Sequence, residues 1–112
     1  MDEANNSAHG VTEHTGFPNP ATDSTLGSLD IGKLLVKHPA STFFMQIESN
    51  QWQQYGIFNG DIAIIDRSLN VQRKDIVVYW SGGEFGLKRK YKLPMDTTIW
   101  GVVTAITHRY RP

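Results

Sequence analysis

The sequence predicts a mainly β domain with one short helix, preceded by a disordered N-terminal arm. From residue 42 onward, apolar and β-branched residues form short runs that are separated by turn-forming residues. A helical spacing of apolar residues is found between residues 29 and 38. Residues 1–28 are rich in Asn, Ser, Thr, Gly and Pro and show no apolar period. Such a segment buries too little surface to offset the entropy lost on ordering.

The chain therefore divides at residue 28 into an arm, residues 1–28, and a domain, residues 29–112. Residues 17–20 of the arm, Phe-Pro-Asn-Pro, are stiffened toward polyproline II by their two prolines, and Phe17 is a candidate interface residue. His9 and His14 have no further ligand type beside them, so a metal site is not expected. No cofactor is expected either.

The domain begins with the short helix. Ser28 is a plausible N-cap residue, since its hydroxyl can accept a hydrogen bond from the first turn. Ile31, Leu34 and Leu35 give the helix one apolar face. We expect His38-Pro39 to end it, because proline cannot continue a helix.

Five strands are predicted to follow the helix. Their alternation of apolar and polar residues and their bounding glycines and polar residues are typical of a sheet. A hairpin turn is predicted at Ser81-Gly82-Gly83. The predicted strands are residues 42–48, 61–66, 75–80, 84–88 and 97–106.

Composition limits the classes of function. The formal net charge is zero, so a generic nucleic-acid binder is not indicated and direct DNA binding is not expected. Residues 1–30 contain five acidic and no basic residues, whereas residues 81–112 contain six Lys or Arg and two acids. This asymmetry favours an acidic partner for the C-terminal region, or contact between arm and domain. The chain has no cysteine, membrane span or signal peptide, so cytoplasm is the expected location.

Six segments occur in an order that carries more information than any one of them. They are Gly-Phe-Pro-Asn-Pro-Ala-Thr-Asp at 16–23, the helix at 29–39, Gly-Asp at 60–61 with Ile-Ile-Asp-Arg-Ser-Leu at 64–69, Asp-Ile-Val at 75–77, Gly-Glu-Phe-Gly-Leu-Lys-Arg at 83–89, and Trp-Gly-Val-Val-Thr at 100–104. This series resembles the LexA/UmuD family of self-cleaving serine peptidases, and its UmuD-like members in particular. The resemblance implies the family's signal-peptidase-like β fold and its Ser/Lys dyad.

The resemblance also assigns the dyad positions. Lys88 matches the family's general base, whereas Gln51 occupies the nucleophile's position and Trp52 that of the following Met. A carboxamide cannot act as a nucleophile, so the dyad lacks its essential member. Lys88 is then either a relic general base or an ordinary solvated strand lysine.

Two further departures from the family concern the cleft. Ser49 lies two residues before the nucleophile position and could replace it only with a displaced geometry. Residues 90–96 are shorter than the family's connection, which includes another strand pair. Thr15-Gly16 aligns with the family's scissile bond and is either a candidate cleavage site for an intact relative or an unused loop.

Contact residues are also suggested by composition. Trp52, inside a polar run, is the better candidate for an interface, whereas Trp80 and Trp100 fit a core or an interface equally well. The run from Lys88 to Lys90 could meet DNA or an acidic polymerase surface, or could simply be solvated.

Three hypotheses follow. The first is an SOS-response accessory subunit of an error-prone Y-family DNA polymerase. By resemblance, it is a homodimer that binds the UmuC-like catalytic subunit and the RecA–DNA filament without covalent chemistry. The second is an active self-cleaving serine peptidase that uses Ser49 or another geometry with Lys88. The third is the dimerisation module of a LexA- or phage-type repressor, against which residues 1–28 offer no helix-turn-helix pattern.

Overall fold

The computed structural model describes residues 30–111, which form one short helix and a five-stranded sheet. The mainly β class is confirmed. The predicted arm, with Phe17, the Thr15-Gly16 bond and the N-cap residue Ser28, lies outside the described residues. The elements in chain order are α1 (Ile31–Leu35), β1 (Thr42–Gln46), β2 (Ile62–Asp66), β3 (Ile76–Ser81), β4 (Glu84–Arg89) and β5 (Thr98–Thr107).

The sheet is antiparallel throughout, in the order β1-β2-β5-β3-β4. The ten-residue β5 is the central strand. Its C-terminal part pairs with β2 and its N-terminal part pairs with β3. The register shifts between Ile64 and Ile65 and between Val78 and Tyr79, which marks a bulge on each side of β5. β1 and β4 are the edge strands.

The hydrophobic core cluster lies on one face of this sheet, and Ile64 and Val77, which alternate with its members along β2 and β3, are buried on the other. Its buried members come from β2, β3, β4 and the connection between β1 and β2, and Trp52, Tyr55 and Trp100 pack partly against it. Burial of these aliphatic side chains is the main force that stabilises the sheet. The buried cluster is Ile47, Ile57, Ala63, Ile65, Val78 and Leu87.

The helix differs from its prediction in length and burial. It ends at Leu35, before His38, and the amide of Val36 closes it with a 2.8 Å bond to the carbonyl of Gly32. Proline disfavours helical dihedrals in the preceding residue, and His38 has φ −131° and ψ 81°. The expected apolar face is also largely open to solvent, since Ile31 and Leu34 are about half exposed.

The β3–β4 hairpin matches its prediction. Gly82 and Gly83 have φ values of 59° and 83°, a left-handed conformation at both central positions of the turn. Glycine adopts this conformation without steric cost, and its twist fits an antiparallel hairpin. The hairpin fixes the pairing of Trp80 with Phe85 and of Val77 with Lys88.

Candidate functional site

The Gln51 position lies in a cleft between the segment that follows β1 and the edge strand β4. This cleft, here called the Gln51 cleft, has a volume of about 400 Å³. Its walls are formed by residues 45–49, by Gln51 and Trp52, by Val78 and by residues 84–87. A smaller pocket of about 220 Å³ shares Gln51, Trp52 and residues 84–86, and adds Tyr79 and Ser81.

The loop that carries Gln51 is ordered by its own hydrogen bonds. The amide of Gln51 donates to the Oγ of Ser49 at 3.1 Å, and the amide of Asn59 donates to the Oδ1 of Asn50 at 3.0 Å. Trp52 packs against the core cluster. These contacts place an exposed Gln51 on the wall of the cleft.

Ser49 lies in the same cleft and is half-buried. Its hydroxyl oxygen accepts the Gln51 amide proton, which leaves the hydroxyl hydrogen available to another acceptor. The residues that line the described cleft do not include Lys88, so the lysine of a Ser/Lys dyad is not beside Ser49 there.

Lys88 stands on β4 with its side chain exposed to solvent. The adjacent Leu87 is buried and lines the Gln51 cleft, and successive side chains of a strand point to opposite faces. The Nζ of Lys88 lies 5.9 Å from the ring centre of Tyr79. A lysine that acts as a general base needs a desolvated position, which this exposed side chain does not have.

Tyr79 lies near both Gln51 and Lys88. It lines the smaller pocket together with Gln51, and its ring faces the ammonium group of Lys88. The ring also covers Gly86, where an added Cβ would lie 2.6 Å from the ring carbon Cζ and from the phenolic oxygen. An aromatic side chain therefore occupies the surface of the β3–β4 hairpin between Gln51 and Lys88.

Two buried aspartates at the ends of β2 were not predicted as site residues. Asp66, at the end of the strand, accepts hydrogen bonds from the hydroxyl and amide of Ser68 at 2.7 and 2.8 Å. Its other oxygen lies 2.6 Å from the Nδ1 of His38. The bonds from Ser68, followed by the bond and charge of His38, outweigh burial and hold the pKa of Asp66 well below its usual range.

Asp61 precedes β2 and is 1% exposed. Its Oδ2 accepts a hydrogen bond from the amide of Phe58 at 2.8 Å, and its Oδ1 is hydrogen-bonded to the Nδ1 of His108. Burial alone would raise the pKa of Asp61, but the bonds from His108 and Phe58 and the attraction of His108 together lower it. The sequence shows an acid on each side of the apolar run 62–65, which could have indicated these two residues. It does not show that each acid pairs with a distant histidine.

An aromatic band crosses the sheet. Ring centres are 5.3 Å apart between Phe43 and Trp100, 5.6 Å between Trp100 and Phe85, and 4.7 Å between Phe85 and Trp80. The guanidinium of Arg67 lies 4.5 Å from the ring centre of Trp100. Trp80 is 45% exposed, whereas Trp52 and Trp100 are half-buried. Trp80 is thus the most exposed of the three tryptophans, and the interface role of Trp52 stays a prediction.

Residues 30–111 contain no group of three or more His, Asp or Glu side chains that could hold a metal ion, and His9 and His14 lie outside this range. In the same range, no helix is long and apolar enough to cross a membrane.

Comparison with known proteins agrees with the fold. Residues 11–100 match the peptidase S24-like family. The chain is 34% identical over 114 residues to protein ImpA of Escherichia coli, an alignment that covers 86% of this chain and 79% of ImpA. It is 32% identical over 112 residues to protein SamA of Salmonella typhimurium, covering 86% of this chain and 80% of SamA. With protein MucA of Escherichia coli it shares 30% identity over 109 residues, covering 80% and 75%.

Proposed function

The chain belongs to the peptidase S24-like family, and from this membership we propose that it is a UmuD-like accessory subunit in SOS mutagenesis. In this proposal it binds the catalytic subunit of an error-prone Y-family polymerase during translesion synthesis in the cytoplasm. It acts through protein contacts, and its Ser/Lys peptidase site is degenerate. Similarity to ImpA, SamA and MucA at 30–34% identity supports the assignment to UmuD-like proteins.

The proposed loss of peptidase activity is supported by the two residues that the resemblance assigns to the dyad, Gln51 and Lys88. Gln51 has no hydroxyl or thiol to deprotonate, and it lies on the wall of the Gln51 cleft. Lys88 is exposed rather than desolvated. Both requirements of a Ser/Lys dyad are therefore unmet at these positions.

Tyr79 adds a steric argument. Its ring covers Gly86 and faces Lys88, so it occupies the hairpin surface beside the smaller pocket that Gln51 lines. Residues 90–96 contain one short 3-10 turn, Lys90–Lys92, and no strand before β5. None of residues 90–96 is among the residues that line the Gln51 cleft.

A peptidase that uses Ser49 is the second candidate, because Ser49 lines the same cleft as Gln51. Its hydroxyl oxygen already accepts a hydrogen bond from the amide of Gln51 at 3.1 Å, and a lysine is not among the residues that line the described cleft. We therefore favour the binding function.

Intact-mass measurement after incubation with RecA–DNA filaments tests the proposal. We expect the full mass to persist, while a family member with an intact Ser/Lys dyad is cleaved in a parallel sample. A fragment that begins at Gly16 and disappears in the Ser49→Ala variant would instead establish the second candidate.

Partner binding has a separate test. A tagged chain should co-purify with a UmuC-like catalytic subunit and with RecA filaments, and Gln51→Ala should co-purify equally well, because the proposal gives Gln51 no part in the contact with either partner. Sedimentation equilibrium should show a homodimer. Failure to retain either partner would contradict the accessory-subunit proposal.

A further inference from the structure

A third pocket lies at the open end of the β3–β4 hairpin. It has a volume of about 450 Å³ and is lined by Arg73, Lys74, Arg89 and Tyr91. Three of the four residues are cationic, the fourth is aromatic, and none is acidic. This cationic pocket shares no lining residue with the Gln51 cleft.

The pocket is fixed by one side-chain and two backbone hydrogen bonds between residues 73–75 and 89–91. The Nη1 of Arg89 donates to the carbonyl of Lys74 at 2.7 Å. The amide of Lys90 donates to the carbonyl of Asp75 at 2.8 Å, and the amide of Tyr91 to that of Arg73 at 3.1 Å. Because both segments adjoin the paired residues Ile76 and Arg89, the strands hold the cations in place. Such preorganisation lowers the entropy lost on binding an anion.

Aromatic rings accompany the arginines. The guanidinium carbon of Arg73 lies 4.9 Å from the ring centre of Tyr91, and that of Arg89 lies 5.8 Å from the ring centre of Tyr55. Tyr91 nevertheless remains 48% exposed. Arginine has five N–H donors, and the bond from Arg89 to Lys74 uses one nitrogen of that guanidinium. The pocket therefore offers an accessible ring as well as hydrogen-bond donors.

The charge around the pocket is locally positive although the whole chain is neutral, so the expectation against direct DNA binding, which rests on the net charge of the whole chain, does not extend to this surface. Residues 30–111 contain eleven Lys and Arg against seven Asp and Glu, a formal charge of +4. Six of these cations fall between residues 73 and 92, together with Asp75 and Glu84. The carboxylate of Asp75 accepts the amide of Gln72 at 2.7 Å, so it is engaged within its own turn.

We propose that the cationic pocket binds the phosphodiester backbone of single-stranded nucleic acid, with a base stacked on Tyr91. Clustered cations bind phosphates, and exposed aromatic rings stack on unpaired bases. An acidic peptide would use the cations but not the ring, and the bases of a duplex are not available for stacking. The exposed Tyr91 therefore favours a single strand. This binding is independent of the polymerase contact proposed above.

Fluorescence anisotropy of the full chain with a labelled oligothymidylate tests the proposal. The wild-type affinity should fall as salt rises, and Lys74→Gln should reduce the slope of log affinity against log salt by about 0.7. Tyr91→Ala should weaken binding about tenfold, whereas Tyr91→Phe should remain close to wild type because the stacking surface is kept. Lys37→Gln is the matched control, since it removes an exposed cation outside the pocket.

Three outcomes would overturn the proposal. The first is an absence of oligonucleotide binding at low salt. The second is an equal loss of oligonucleotide affinity in Lys37→Gln and Lys74→Gln, which would mean that only the net charge of the chain matters. The third is binding of polyglutamate as tight as that of the oligonucleotide and unaffected by Tyr91→Ala, which would assign the pocket to an acidic protein. Circular dichroism of each variant verifies that the chain remains folded.

Discussion

The ring of Tyr79 lies against the backbone of Gly86, so closely that a methyl group on Gly86 would be 2.6 Å from the ring. The two residues are paired on neighbouring strands of the β3–β4 hairpin. The ring of Tyr79 occupies the space that a side chain on residue 86 would need, so the contact requires glycine at that position. The pair also determines what lies beside Lys88, whose ammonium faces the same ring.

Gly86→Ala should destabilise the protein by about 1–3 kcal/mol, because the new methyl group overpacks the contact with Tyr79. The loss should be smaller in a Tyr79→Ala background, where the ring is absent. Urea unfolding of the four proteins in this double-mutant cycle measures the coupling. Ser81→Ala, at an exposed position of the same hairpin, is the control. If Gly86→Ala lowers the unfolding free energy equally in both backgrounds, the ring of Tyr79 does not cause the destabilisation.

Gln51→Ser should give little or no self-cleavage. The substitution supplies a hydroxyl, but Lys88 remains exposed and Tyr79 remains over Gly86. Gln51→Ser combined with Trp52→Met should do no better, because neither change desolvates the lysine. The measurement is the fraction cleaved at Thr15-Gly16 after overnight incubation at neutral and alkaline pH. Efficient processing of the single variant would show that only the nucleophile had been lost.

Acid stability should depend on Asp66. Its folded-state pKa is lowered from the ordinary value of 3.8, so its contribution is complete above that pH and is lost as the pH falls toward the folded-state pKa. Asp66→Asn should therefore flatten the decrease in unfolding free energy on acidification below that value. Asp96→Asn, at an exposed position, serves as the control. The same acid dependence in Asp66→Asn and wild type would contradict this assignment.

His108→Ala should destabilise the protein by about 1–3 kcal/mol, since the buried Asp61 loses a hydrogen-bond partner. Arg109→Ala, at the next and exposed position, should change stability much less. Thermal unfolding near neutral pH compares the two. If both variants unfold at the same temperature, His108 does not stabilise Asp61.

Sequence alone determined the elements that depend on local patterns. Period-two runs of apolar residues identified all five strands within a few residues, and two consecutive glycines identified the β3–β4 turn. The assignment of Gln51 and Lys88 to the dyad positions is a prediction that rests on the order of motifs along the chain. These features require only information from neighbouring residues, or from the linear order of segments.

Tertiary structure decided which side chains meet. The sequence does not state that Asp66 pairs with His38, or Asp61 with His108, because those partners are brought together by strand pairing across distant segments. It likewise does not state that Tyr79 covers Gly86, or that Arg73 and Tyr91 line one pocket with Arg89. Each of these contacts depends on register and on the face to which a strand turns its side chains. One residue of slippage would reverse that face, so contacts of this kind are fixed only when the whole sheet is assembled.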